Sequence, residues 1–324
     1  MTKTVVAFGE IMLRLTPPDK QKIREANCFS AFYGGSESNV LVALAQLGHH
    51  AKFVSALPDN DLGKGALCHL KRYGVDTSAV RVGGDNMGMY FLEEGFGDRQ
   101  TRVIYARANA AITRLTEADF DYDAIFQNAD IFHISGISFA LSPSVQALCF
   151  RLLSEAKKRN IKVSFDFNYR AKLWDTETAK AVYQKIMPYA DIVFCASRDL
   201  TAFLDVTPQT YFEKYSGAET LIVREREITS HTTHKIQAAA YQKGGVCAVL
   251  PEREFAVLER IGGGDAFDAG VLHGLLENPT DLTRALEFGA ASFILKHTVR
   301  GDVLAAAAAE IEVLSQNTVK DVKR

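Results

Sequence analysis

A glycine-rich turn that leads directly into an acidic residue and an apolar helix occupies residues 261–270, Ile-Gly-Gly-Gly-Asp-Ala-Phe-Asp-Ala-Gly. Because glycine has no Cβ, Gly262, Gly263 and Gly264 allow backbone N–H groups to approach an anion, and a helix start adds its positive dipole end. Asp265 falls in the first helical turn. These residue types suit phosphoryl transfer, in which the glycines stabilise negative charge and Asp265 takes a proton from an attacking hydroxyl. A purely structural helix start is the alternative for this segment taken alone.

A second glycine-bearing segment lies far upstream, where Gly34, Gly35, Asn39 and Gly48 belong to the pattern Gly-Gly-x-x-x-Asn-x-x-x-Ala-Leu-x-x-Leu-Gly. This segment and the Gly-Gly-Gly-Asp-Ala-Phe run resemble, in the expected order, the two signatures of the ribokinase-like (PfkB-type) carbohydrate kinases. The resemblance extends over nearly the whole chain. It implies phosphorylation of a sugar with ATP and Mg²⁺.

Strand-like and helix-like segments alternate along the chain, which predicts an α/β fold with a parallel sheet covered on both faces. The predicted strands are 4–8, 51–57, 129–135, 161–167, 190–195 and 220–223, and the predicted helices are 39–47, 62–73, 143–158 and 176–187. Ligands of such sheets bind at the carboxyl ends of the strands. The resemblance implies a ribokinase-like three-layer α/β/α sandwich with a mainly parallel central sheet.

Segments at about 11–34 and 87–110 interrupt the alternation and carry aromatic residues and arginines. The resemblance implies that they form a small β-sheet lid over the sugar, through which a homodimer or higher homo-oligomer assembles. We predict one domain over residues 1–316 and a polar tail at 317–324. Further predictions are a hairpin at 231–245 and helical structure from Ala266 onward, including 305–310.

The sugar side of the site is predicted from the segment Asp-Phe-Asn-Tyr-Arg-Ala-Lys-Leu-Trp, which follows a predicted strand. Strand alternation would direct Asp166, Asn168 and Arg170 toward one face. The segment resembles the branch of the family that phosphorylates 2-keto-3-deoxygluconate, as do the runs at 105–111 and 296–302. The substrate of that branch is a sugar acid.

Four side chains are candidates for binding such an acid. Arg107 and Arg170 could bind its carboxylate, because a guanidinium donates two N–H groups to a planar carboxylate at once. Tyr90 and Tyr105 could add hydroxyl donors. The alternatives are surface ion pairs for the arginines and packing within the lid for the tyrosines.

The first glycine segment would serve the same pocket. Gly34 would bring the backbone close to the sugar, and Asn39 would offer an amide at a helix start. Simple N-capping is the alternative for Asn39.

The nucleotide side departs from the family pattern. Ala196 and Asp199 stand where many members have Asn-x-x-Glu, so Asp199 would help to organise Mg²⁺ through water rather than as a direct ligand. The segment 223–230 lacks both glycines of the usual Gly-x-x-Gly phosphate loop. Arg224 or Arg226 could contact phosphate there, but Glu225 and Glu227 would repel it, and we favour a solvated charged run for the segment as a whole.

Composition narrows the class of protein. The 324 residues carry a net charge of −2 and no basic patch, which argues against nucleic acid as a partner. No apolar run is long enough for a membrane span, and five scattered cysteines fit a reducing cytoplasm. Three alternatives to the sugar-acid kinase stay open: a kinase of a neutral sugar such as fructose or ribose, a catalytically weakened sugar-binding regulatory protein, and a nicotinamide dehydrogenase. The last is weak, because no Gly-x-Gly-x-x-Gly follows the first strand.

Overall fold

The computed structural model describes residues 2–316, so the predicted tail at 317–324 lies outside the described residues. The strands are β1 Thr4–Phe8, β2 Met12–Thr16, β3 Ser30–Gly34, β4 His50–Leu57, β5 Val80–Val82, β6 Met89–Glu93, β7 Arg102–Ala106, β8 Ile131–Ser135, β9 Lys162–Asp166, β10 Ile192–Cys195, β11 Thr220–Ile228, β12 Thr233–Gln242 and β13 Gly245–Ala256. The α-helices are α1 Ser36–Gln46, α2 Asp61–Arg72, α3 Tyr122–Phe126, α4 Gly136–Phe139, α5 Pro143–Lys158, α6 Thr176–Ile186, α7 Ser197–Leu204, α8 Tyr211–Lys214, α9 Gly263–Glu277, α10 Leu282–His297 and α11 Ala308–Ser315.

The main sheet has nine strands in the order β13-β12-β11-β10-β9-β8-β1-β4-β5. Strands β11, β10, β9, β8, β1, β4 and β5 pair in parallel, and β12 and β13 extend the sheet as antiparallel strands. The carboxyl ends of the parallel strands therefore share one edge. Ser135 at the end of β8 lies opposite Asp166 at the end of β9, which brings polar groups together there.

The apolar core lies on both faces of this sheet. Successive residues of β1 point to opposite faces, as strand geometry requires: Val5 packs into one cluster, with α1, α2, α9 and α10, and Val6 packs into the other, with α5, α6 and α7. This is the three-layer α/β/α arrangement that the sequence predicts. No helix among residues 2–316 is long and apolar enough to cross a membrane.

The two interrupting segments form a separate four-stranded sheet in the order β3-β2-β6-β7, which we call the lid. Pairing is antiparallel at β2–β3 and β6–β7 and parallel at β2–β6. A mixed sheet arises because both segments fold as hairpin-like units that meet along β2 and β6. The predicted lid sheet is thus present.

Three local predictions differ from the structure. The helix predicted from Ala266 begins at Gly263, because Gly262 adopts a left-handed conformation (φ 78°) that starts the helix earlier. The helical stretch predicted at 305–310 begins only at Ala308. The segment predicted as a hairpin at 231–245 is mainly one strand, β12, which pairs with both β11 and β13.

Candidate functional site

A cleft of about 650 Å³ lies between the carboxyl ends of the parallel strands and the lid. Fourteen of the fifteen residues that the sequence predicts for the site line it: Gly34, Gly35, Asn39, Tyr90, Tyr105, Arg107, Asp166, Asn168, Arg170, Asp199, Arg224, Gly262, Gly264 and Asp265. Gly263 does not line it. Gly263 packs against the ring of His297, and a Cβ added to Gly263 would stand 2.3 Å from that ring.

Asp265 is held by donors from distant parts of the chain. The Asn39 amide donates to one carboxylate oxygen at 2.7 Å, and the Ser36 hydroxyl donates to the other at 3.1 Å. The Asn168 amide donates to Ser36 Oγ at 2.7 Å, which orients that hydroxyl. Burial raises the pKa of Asp265, and these hydrogen bonds with nearby Arg170 oppose the rise. The carboxylate is therefore fixed in direction and made more basic than a free aspartate.

The prediction that Asn39 starts its helix is wrong, because α1 begins at Ser36 with Gly35 as its N-cap. Asn39 instead reaches across to Asp265 from inside the first turns. Gly34 and Gly35 line the cleft, but close packing explains them best. A Cβ on Gly35 would stand 1.8 Å from the Glu10 carbonyl oxygen, and one on Gly34 would stand 2.4 Å from Asp302.

The start of α9 forms a candidate anion hole. A Cβ at Gly262 would lie 1.8 Å from the Asp302 carbonyl oxygen, so only glycine fits this left-handed turn. The first N–H groups of a helix have no intrahelical acceptor, and Gly264 and Asp265 at this helix start both line the cleft. Backbone donors and a carboxylate thus adjoin one volume.

A pair of buried carboxyl groups, Asp166 and Asp268, lies close enough to Asp265 to interact with its charge. Asp166 and Asp268 are 7% and 1% exposed, and each carboxyl group influences the ionisation of the other. Desolvation, the largest cause, raises the pKa of Asp166 to about 6 and that of Asp268 well above its usual range. Arg224 Nη1 lies 4.0 Å from Asp268 Oδ1. Because the two groups also repel each other when both are ionised, folding favours a protonated form of the pair.

We expect Asp268→Asn to stabilise the protein at pH 8 relative to wild type. When folding raises the pKa of a carboxyl group, the folded protein binds a proton that the unfolded chain has lost. The free energy of unfolding is then highest at pH values below the unfolded pKa of about 3.9, and it falls as pH rises toward the folded pKa. Asparagine has nearly the shape of aspartate but does not ionise, so the variant does not lose stability as pH rises. The variant should therefore melt about 2–5 °C higher at pH 8, and the difference should vanish near pH 4. Asp98→Asn, at an exposed lid position, is the control, and an equal shift at both pH values would contradict the raised pKa of Asp268.

The sugar side contains two arginines in different electrostatic states. Arg107 forms an ion pair with the buried carboxylate of Glu10, so its charge is already matched. Among the described residues Arg170 has no ion-pair partner, and it is exposed to the cleft. Arg170 is consequently the guanidinium that can bind an incoming carboxylate without breaking an existing pair.

The route by which Asp166, Asn168 and Arg170 reach the cleft differs from the prediction. Strand β9 ends at Asp166, and Asn168 has φ 39°, so alternation along a strand does not continue through this segment. Asp166 at the end of β9, and Asn168 and Arg170 in the irregular segment that follows, nevertheless all line the cleft. The polar side chain of Asn168 suits this left-handed position better than most residues would.

Tyr90 is already engaged, since its hydroxyl donates to Asp302 Oδ2 at 2.7 Å. Asp302 also pairs with the fully buried Arg14, whose Nε lies 2.9 Å from Asp302 Oδ1. Arg14 forms a second ion pair with Glu259, which precedes the glycine run. The ion pairs of Arg14 therefore connect the lid strand β2 to the segments that contain Glu259 and Asp302, both of which adjoin the anion hole.

The nucleotide side differs most from expectation. The charged run at 224–228 is the second half of strand β11 rather than a loop, and its residues from Arg226 onward are exposed, as expected for a solvated run. Alternation along the strand directs Arg224 and Arg226 into the cleft, whereas Glu225 points away and accepts a hydrogen bond from the Ser197 amide at 2.6 Å. The glutamates therefore do not oppose an anion here.

Arginines surround this part of the cleft. Arg224 Nη1 donates to the Gly264 carbonyl at 3.1 Å and stacks over Phe267, which places its charge beside the anion hole. Arg226 and Arg260 line the same wall and have no ion-pair partner among the described residues. Desolvation at the cleft mouth, followed by repulsion from neighbouring guanidinium groups, lowers the pKa of Arg226 to about 10. Such crowding of like charges favours binding of a polyanion.

Asp199 lines the same region and accepts the Ala196 amide with one carboxylate oxygen at 3.0 Å. The other oxygen faces no described donor at hydrogen-bonding distance. Mg²⁺ bound to nucleotides is commonly held by one or two carboxylates together with phosphates and water. The site therefore fits such an ion through one carboxylate or a bridging water.

Sequence reasoning missed four residues of the site: Ser36, Glu10, Arg14 and Arg260. Ser36 could have been found as a hydroxyl in the first turn after the Gly-Gly pair. Arg260 adjoins the glycine run. Glu10 and Arg14 carry no local signal, because their partners lie far away in the chain.

Comparison with known proteins identifies the relatives of this chain. The sequence pattern of the pfkB family carbohydrate kinase matches residues 2–303. The chain is 34% identical over 317 residues to 2-dehydro-3-deoxygalactonokinase of Haloferax volcanii, with 96% of each chain covered. It is 28% identical over 293 residues to 5-dehydro-2-deoxygluconokinase of Clostridium tetani, covering 89% of this chain and 85% of that protein.

A solved structure agrees with these relatives. The crystal structure of 2-dehydro-3-deoxygluconokinase from Thermotoga maritima has a TM-score of 0.93 and 35% identity, covering 98% of this chain and 99% of that chain. The similarity thus includes the main sheet, both helical layers and the lid.

Proposed function

The chain belongs to the pfkB family of carbohydrate kinases, and we propose that it transfers the γ-phosphoryl group of ATP to a 2-keto-3-deoxy sugar acid. The preferred substrate is 2-keto-3-deoxygluconate (2-dehydro-3-deoxygluconate), with its 6-phosphate as product. The observation that carries this proposal is the cleft itself, in which the unpaired Arg170 and the oriented Asp265 line one volume. Relatives named for keto-deoxy sugar acids support the choice of substrate.

In the proposed mechanism Arg170 binds the carboxylate of the sugar acid, and Asp265 takes the proton of its primary C6 hydroxyl. The hydroxyl oxygen attacks the γ-phosphorus, and the bond between that phosphorus and the β–γ bridging oxygen breaks to release ADP. Asn39 and Ser36 hold Asp265 in position for the proton transfer. N–H groups at the start of α9, with Arg224, stabilise negative charge on the transferring group.

Two further features of the cleft support phosphoryl transfer. The lid closes one side, which would exclude water from the reacting groups. Mg²⁺, when bound, would neutralise phosphate charge, and Asp199 is the residue that would help to hold it. Arg226 and Arg260 would contact the polyphosphate in place of the missing Gly-x-x-Gly loop.

We expect Arg226→Ala to raise the KM for ATP by about tenfold, as for the loss of one charge-assisted hydrogen bond, with little effect on the KM for the sugar acid. Steady-state kinetics with each substrate varied in turn would measure this. The matched control is Arg81→Ala, an exposed arginine of β5 outside the cleft. An unchanged KM for ATP in the Arg226 variant would place the nucleotide elsewhere.

Two rival functions make different predictions. A kinase of fructose or ribose would gain nothing from Arg170, so its turnover should survive loss of that side chain. A sugar-binding regulatory protein would bind the sugar acid without releasing ADP. The arginine cluster beside the anion hole favours the kinase over the regulatory protein, because it offers the polyphosphate site that the missing glycine loop would otherwise deny.

We also propose that copies of the chain assemble through the lid. Its edge strand β7 presents Ile104 and Tyr105, which are 43% and 36% exposed, and an apolar sheet edge is a ready pairing surface. Light scattering of Ile104→Lys against wild type tests this, since only a lid contact would make the variant smaller.

A further inference from the structure

Two imidazoles and a carboxylate meet at the opposite ends of the helices that carry the active-site groups. His49 follows α1, while His273 and Glu277 lie in the last turns of α9. One ligand atom from each lies within 4.8 Å of the others, and His49 Nε2 is 2.8 Å from His273 Nδ1. From this cluster we propose that the protein binds a divalent transition-metal ion of the Zn²⁺ type at His49, His273 and Glu277.

The donor set selects this class of ion. Two imidazole nitrogens and one carboxylate oxygen are typical ligands of Zn²⁺, with water in a fourth position, and they also suit Co²⁺ and Ni²⁺. Mg²⁺ prefers oxygen ligands alone, so this site is distinct in chemistry from the nucleotide site. Metal–nitrogen distances of about 2.0–2.1 Å place tetrahedral nitrogens about 3.3 Å apart. The histidine pair would therefore separate by about 0.5 Å when the ion replaces their shared hydrogen bond.

The backbone of α1 and α9 brings the three proposed ligands together. His273 and Glu277 are four residues apart, so both project from one face of α9. The helices α1 and α9 run side by side in the same direction, because Asn39 meets Asp265 near their starts and His49 meets His273 near their ends. Both helices therefore direct carbonyl ends toward the cluster, and the negative end of a helix dipole favours a cation.

The surroundings partly shield the two rings from solvent. His49 is buried and His273 is half-buried, and this burial lowers the pKa of both rings. Charged groups that act on the pair are Glu277, Asp130 and Arg284. The ring of Phe288, on α10, packs 4.7 Å from that of His273. His49 Nδ1 is buried without a hydrogen-bond partner among the described residues, so solvent competes little for this ring.

The ion would act as a clamp rather than as a reactant. His273 is eight residues from Asp265, which is about 12 Å along a helix, too far for contact with the substrate. A bound ion would join the end of α1 to the end of α9, and these two helices carry Ser36, Asn39 and Asp265. Binding should stabilise the folded protein, since the unfolded chain lacks the preformed cluster.

The test is calorimetric titration of the full chain with Zn²⁺ after EDTA treatment and dialysis, together with the visible absorption of the Co²⁺ form. We expect one ion per chain, a tetrahedral Co²⁺ spectrum and a melting temperature about 4 °C higher at 100-fold excess over Kd. His273→Gln and Glu277→Gln should each weaken binding by about 100-fold, at least as much as loss of an outer-shell group does.

Matched variants separate this site from surface binding. His50→Ala removes an exposed histidine next to His49 and should leave affinity and spectrum unchanged. Glu277 is exposed, so its replacement should preserve folding even if a histidine variant does not. Undiminished binding in Glu277→Gln and His273→Gln, or an equal loss in His50→Ala, would show adventitious binding and overturn the proposal. So would the absence of binding in the wild-type chain.

Discussion

Asp265→Asn should lower kcat by at least about 100-fold, the low end of the range for losing a general base. The amide keeps the size of the carboxylate and can still meet Ser36 and Asn39, so the change removes the proton acceptor and little else. Burial raises the pKa of Asp265, and only the ionised form accepts a proton. Wild-type kcat should therefore fall on acidification at a pH above the usual aspartate value of about 3.9.

Two measurements keep this result interpretable. Asp61 also lies in the first turn of a helix, α2, and is exposed, so Asp61→Asn should leave kcat unchanged. Calorimetry should show that Asp265→Asn still binds the sugar acid, which excludes misfolding as the cause of lost turnover. Near-normal kcat in Asp265→Asn would remove Asp265 from the proton transfer.

Arg170→Ala should lower kcat/KM for the keto-deoxy sugar acid by about 10- to 100-fold. Hydrogen bonds to charged groups contribute about 1.5–3 kcal/mol, and Arg170 has no described ion pair to be disrupted by the change. The effect should depend on the carboxylate, so a substrate analogue with an alcohol in its place should lose far less. Steady-state kinetics on the two compounds measure the difference directly.

The control for Arg170 is Arg102→Ala on the lid strand β7. Arg102 lines the neighbouring groove with Arg170 but not the cleft itself, so its loss should change kcat/KM less than twofold. Arg107 is unsuitable as a control, because its removal would leave the buried Glu10 carboxylate without its partner. Equal losses of kcat/KM on the acid and on the alcohol would show that Arg170 supports the structure of the site rather than binding the carboxylate of the substrate.

The predictable part of this molecule is the part with a local signal. The glycine run before Asp265 and the alternation of apolar strands with helices both leave short-range patterns, and the fold follows from them. The hydrogen bond from Asn39 to Asp265 joins residues 226 apart in the chain. Their proximity could be inferred only through resemblance to a family, not from spacing.

Other features escaped sequence reasoning for physical reasons. The run from Arg224 to Glu227 has the composition of a solvated segment, yet pairing with β12 makes it a strand whose arginines and glutamates separate onto opposite faces. The ion pair of Arg107 with Glu10 distinguishes it from Arg170, although the two arginines look equivalent in the sequence. The buried Arg14 network depends on three distant segments that only the tertiary structure brings together.

The most direct test of the central claim is ADP release with Mg-ATP and a panel of acceptors. The panel contains 2-keto-3-deoxygluconate, its galacto epimer, fructose, ribose and gluconate. We predict turnover on the keto-deoxy acids and none above background on fructose or ribose. Turnover on a neutral sugar would contradict the role of Arg170, and no turnover on any acceptor despite sugar binding would contradict the assignment as an active kinase.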